Sequence, residues 1–88
     1  MPTVAYFYGI AIRMYFLDHA PPHFHAVYGG AEAFVSINTG DVIHGRLPGP
    51  AARLVKRWAL ARQAELRENW ERGQRKRTFQ RIAGPDDE

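Results

Sequence analysis

The sequence contains no cysteine. That excludes disulfides, thiolate metal sites and thiol nucleophiles together. It also lacks any apolar run near the roughly 20 residues that a membrane helix needs. The apolar stretch 3–12 is interrupted by Tyr6, Tyr8 and Gly9 and stops at Arg13. No basic segment precedes it, so nothing near Met1 reads as a secretory signal. The expected location is the cytoplasm, with no membrane partner. Serine occurs once, at Ser36, and no glycine-rich phosphate loop is present. Neither a base-activated hydroxyl nor a phosphate-cradling loop is indicated.

What is present is an ordinary globular composition on a short chain. The 88 residues are 45% hydrophobic and 24% charged, close to soluble domains in general. A single domain of this size buries only about 60–65% of its unfolded surface, so its core is thin. Twelve Lys+Arg against nine Asp+Glu give a net charge of +3. Its distribution is uneven. Residues 1–45 carry Arg13 against Asp18, Glu32 and Asp41, whereas residues 46–82 carry eleven basic side chains against Glu65, Glu68 and Glu71. Ten of the twelve basic residues are arginine, whose forked guanidinium suits phosphates and carboxylates. Arg53, Lys56 and Arg57 are the candidate nucleic-acid contacts, the alternative being a solvated helix face.

The periodicity predicts strands first and a helix afterwards. Val4–Tyr8 reads as a strand ending at a bend on Gly9. In the run from Ile10 to Phe16, Ile10, Ile12, Met14 and Phe16 fall on one face, and Ala11, Arg13 and Tyr15 on the other. Asp18–Pro22 is a loop stiffened by its proline pair. His23–Tyr28 and Ala31–Asn38 form a hairpin through Gly29-Gly30, and Val42–Gly45 closes the sheet. From Pro50 to Arg72 apolar residues recur at spacings of three and four, which predicts one helix of about 35 Å, with Gly73 as its stop. The fold class is α+β, an antiparallel β-meander of three to five strands packed against one long C-terminal α-helix. A single domain spans residues 1–83, with strands at about 4–45 and the helix at about 50–72. Residues 84–88 form an acidic tail expected to be disordered.

That helix overhangs the sheet, so Trp58 and Trp70 on its stripe are expected at the core or at an interface. A homodimer would cover the overhang, or residues 78–82 would fold back beneath Trp70.

The chemistry is concentrated in Asp18-His19-Ala20-Pro21-Pro22-His23-Phe24-His25. On a strand, His23 and His25 share one face and Phe24 takes the other. With His19 folded over, His19, His23 and His25 make a candidate site for a divalent transition metal such as zinc or nickel. Asp18 would ligate or orient an imidazole. Alternatively His23 and His25 act as acid and base on a phosphodiester that Arg13 holds. A third reading gives the histidines only structural hydrogen bonds. His44 is a separate residue of the closing strand.

The runs Phe7-Tyr8-Gly9-Ile10, Ile12-Arg13-Met14-Tyr15-Phe16, Asp18-His19 and Pro21-Pro22-His23-Phe24-His25-Ala26 carry a resemblance. Together with Gly45-Arg46-Leu47-Pro48, Trp58 and Glu68-Asn69-Trp70, they resemble the prokaryotic family known as domain of unknown function 4160. The resemblance covers about residues 1–73 and implies a small stand-alone protein often encoded beside another small protein. It thus implies a toxin–antitoxin-like module with a neighbouring-gene protein as partner and, less directly, RNA or DNA as target. The competing expectation is a non-catalytic metal-binding or nucleic-acid-binding module.

Overall fold

The structure is a computed structural model and describes residues 2–85. Strands β1 (Thr3–Phe7) and β2 (Ile10–Arg13) are joined by Tyr8-Gly9, both at positive φ (48° and 80°). Such two-residue turns match the twist of the strands they connect. Strands β3 (His23–Tyr28) and β4 (Ala31–Ser36) flank Gly29-Gly30, with Tyr28 opposite Ala31. Strand β5 (Val42–Gly45) completes an antiparallel meander in the spatial order β1-β2-β3-β4-β5. The α+β architecture read from the sequence is therefore observed, with five strands.

Residue parity divides the sheet into two faces. Ala5, Phe7, Ile10, Ile12, Phe24, Ala26, Ala33 and Val35 share one face and are buried. Helix α1 (Gly49–Ala61) lays Ala51, Val55, Trp58 and Ala59 on that face. The Trp58 ring lies 4.9 Å from Phe7 and edge-on to Phe24 at 5.8 Å, and its indole N–H donates to the Ala83 carbonyl at 2.8 Å. At 3% exposure Trp58 belongs to this chain's own core and has no surface to offer a second copy. A large apolar side chain buried in this way contributes about 1.5–3 kcal/mol. The opposite face carries the cross-strand row Thr3, Arg13, His25, Phe34, His44.

The structure corrects three expectations. Strand β2 stops at Arg13, because Phe16-Leu17 form a turn with Leu17 at φ 56°. Phe16 is therefore 47% exposed instead of joining Ile10 and Ile12 in the core. The single long helix is two pieces, α1 and α2 (Gln63–Gln74), broken at Arg62 (φ −112°, ψ 25°). At the break the Gln63 side-chain amide donates to the carbonyls of Ile37 and Asn38 at 2.8 and 2.9 Å. These bonds tie the helix junction to the turn after β4 and aim α2 at the loop between β2 and β3. Gly73 lies inside α2, not beyond its end. A Cβ on Gly73 would stand 3.0 Å from the Phe79 ring and 3.2 Å from the Tyr15 carbonyl oxygen, so the glycine permits this close approach.

Beyond α2 the chain turns back on itself. Asn69, wholly buried, donates to the Gln80 carbonyl and accepts the Gln80 N–H, both at 2.8 Å. Ile82 is buried and its N–H donates to the Val4 carbonyl. The overhanging helix thus packs on its own tail. Residues 86–88 of the acidic tail lie outside the described residues. Among the described residues no helix is long and apolar enough to cross a membrane.

Candidate metal centre

Strand parity places His23 and His25 side by side on the face away from α1, with ring centroids 5.3 Å apart. Phe34 of β4, directly opposite His25, packs against both rings, at 5.3 Å from His23 and 4.2 Å from His25. Tyr15 stands edge-on to His25 at 4.5 Å, and Trp70 of α2 lies 5.5 Å from His23. These walls leave His23 only 5% and His25 only 8% exposed.

The loop after β2 brings Asp18 over the pair. The Leu17 N–H donates to the Gly73 carbonyl at 3.1 Å and the Gln74 side chain to the Asp18 carbonyl at 3.2 Å, which anchors the loop to α2. The His19 N–H donates to Asp18 Oδ1 at 2.9 Å and orients the carboxylate. Asp18 Oδ2 then lies 3.2 Å from His23 Nε2 and 3.1 Å from His25 Nε2. One ligand atom from each of Asp18, His23 and His25 lies within 4.8 Å of the other two.

Hydrogen bonding at the far side of each ring decides what the near side offers. His23 Nδ1 lies 2.8 Å from the Pro21 carbonyl, which only accepts, so Nδ1 carries the proton. In a neutral ring Nε2 is then a bare lone pair, and it is buried without a hydrogen-bond partner. His25 lies between two carboxylates, with Nδ1 3.3 Å from Glu32 Oε2 and Nε2 donating to Asp18 Oδ2 at 3.1 Å. The His23 lone pair, the Asp18 oxygen and His25 Nε2 thus converge on one point, and an ion there would displace the His25 Nε2 proton and leave Nδ1–H facing Glu32. Burial pushes the Asp18 carboxyl up, but the hydrogen bonds from His25 and the His19 amide and the charges of His23 and His25 outweigh it. The net effect holds the carboxyl below its ordinary value. Without an ion the His25 proton holds this set together, and a divalent cation could take that place. Imidazoles whose second nitrogen donates to a carbonyl or carboxylate are the usual form of metal-ligating histidine.

The remaining candidate residues are placed as follows. His19 is exposed and contributes its backbone N–H, so Asp18 occupies the position expected for the His19 ring. Arg13 is half-buried directly across from His25. His44 is exposed and contacts the outer side of Phe34 at 4.9 Å. Arg53, Lys56 and Arg57 are exposed on α1, behind the sheet, so the structure does not bring them together with the histidines. Lys56 also pairs with Asp41 at 2.7 Å. Trp70 is a half-buried wall of the cluster. Sequence reasoning missed Phe34 and Glu32 as neighbours of the rings. Counting back from Gly29-Gly30 could have found them, since Tyr28 opposite Ala31 puts His25 opposite Phe34 and Val27 opposite Glu32.

A five-strand meander with α1 on one face and, on the other, two histidines closed by an aspartate and bordered by the end of α2 defines a small α+β domain with a candidate cation site. The chain belongs to the family described as Domain of unknown function (DUF4160), whose model matches residues 9–71. The matched span includes all three residues of the cluster. No curated protein and no solved structure matches the chain.

Proposed function

We propose that this protein binds a divalent transition metal through Asp18 Oδ2, His23 Nε2 and His25 Nε2. The observation that carries the reading is His23 Nε2, a buried lone pair with no donor in reach, because its ring proton is held by the Pro21 carbonyl. Two imidazoles and one carboxylate suit zinc, nickel or iron(II). Three protein ligands leave coordination positions open, as in sites that take water or an exogenous ligand. The near-complete burial of both rings weighs against their direct use as acid and base on RNA, since a phosphodiester needs more room than an ion.

The test is metal analysis of protein purified without a histidine tag. About one equivalent of zinc or nickel is expected to survive gel filtration and to be lost in the His23→Ala, His25→Ala double variant. Substoichiometric metal that the double variant retains equally would end this reading.

A further inference from the structure

Arg13 stands in β2 directly opposite His25, and such pairs project from the same face of a sheet. It is half-buried, yet no hydrogen bond or ion pair engages its side chain among the described residues. Other arginines of this chain do find carboxylates, as Arg62 finds Glu65 and Arg72 finds Glu68. The flanks of β3 are therefore unlike: a free guanidinium on the β2 side, and the Glu32 carboxylate, 51% exposed at its side chain, on the β4 side.

We infer that Arg13 is the anion-holding arm of the cluster, and that the site takes a small oxyanion, a carboxylate or a phosphate. One oxygen occupies an open position of the metal and the others accept from the Arg13 fork. The inference rests on the metal reading above. With a divalent ion in place, the ion, Asp18 and Arg13 together keep two positive charges on this flank, and Glu32 repels an anion from the other. A guanidinium also matches the planar oxygen pair of a carboxylate or two phosphate oxygens in a way an ammonium does not. The buried rings and the Tyr15 wall limit the occupant to a small molecule or one terminal group.

The experiment loads metal-free protein with one equivalent of cobalt(II) and follows its visible absorption during titration with oxalate and, separately, with inorganic phosphate. Arg13→Gln and Arg13→Lys are titrated alongside wild type. We expect wild type to bind one of the two anions about 10- to 100-fold more tightly than Arg13→Gln, since a charge-assisted hydrogen bond is lost. Arg13→Lys should fall between them, and cobalt affinity should change less than about threefold across the series. The anion that shows this dependence identifies the oxyanion class. If all three proteins bind cobalt equally and both anions equally, Arg13 is not the anion arm, and the metal reading stands. If wild type takes up no cobalt, both fall together.

Discussion

The Asp18 carboxylate reaches the histidines from a loop, so its effect on stability can be separated from that of the sheet. Its carboxyl is held below the ordinary value of 3.8 despite the opposing effect of burial. A carboxyl with a lowered folded value stabilises the fold when ionised. Its contribution is complete above the unfolded value and is lost as pH falls through the folded one. In metal-free protein the melting temperature of wild type should therefore exceed that of Asp18→Asn from pH 7 down to about 4 and converge with it toward pH 2. A gap that persists unchanged at pH 2 in thermal melts would show that the ionised carboxylate is not its source. At this scale the sequence was partly legible. Parity along one strand is enough to put His23 and His25 on a common face. It says nothing about which loop residue closes over them. The path of the loop is set by α2 through Gly73 and Gln74, more than fifty positions away, and no local signal distinguishes Asp18 from His19.

Among the secondary-structure elements, β5 has the least support. It pairs only with β4, and all four of its residues are exposed. Its end is fixed at Gly45, which sits at φ +74° with the Glu32 carbonyl oxygen where a Cβ would be. Gly45→Ala combines an unfavourable backbone conformation with a backbone clash, and is expected to lower unfolding free energy by about 2–4 kcal/mol in denaturant titration. A loss under about 0.5 kcal/mol would mean that β5 adjusts freely at that end. Most strands were legible because Gly9, Pro21-Pro22, Gly29-Gly30 and Gly40 punctuate them and the core-facing residues alternate, whereas no glycine or proline marks the end of β2 after Arg13. The helix break was not legible. The stripe from Leu54 to Trp70 continues through Arg62 without a helix breaker, and the interruption comes from Gln63 bonding to carbonyls of the sheet turn. The return of the tail was equally hidden, since the reciprocal Asn69–Gln80 pair leaves no periodic trace in the sequence.

In the whole molecule the sheet separates the apolar core from the candidate cluster. The core lies on the α1 side, and the cluster lies on the other, bounded by the loop, Phe34 and the end of α2. Metal binding should thus report on the intact fold, because only the folded chain brings Asp18 to the histidine pair. At about 100 times its Kd, an ion that binds only the folded state adds about 2.7 kcal/mol. For a domain of this size that corresponds to a rise in Tm of roughly 10–20 °C. Residual binding to the unfolded chain, where His23 and His25 are still two residues apart, would reduce the rise. Two variants test whether the rise comes from the cluster or from nonspecific surface binding. Asp18→Asn should lose most of the zinc- or nickel-induced shift although its core is untouched. Val55→Ala, which opens a cavity on the α1 side of the core, should keep the full shift from its lower starting Tm, since its defect lies across the sheet from the cluster. Equal shifts in wild type and Asp18→Asn would place the metal elsewhere, whereas loss of the shift in Val55→Ala would show that the two faces of the sheet are coupled.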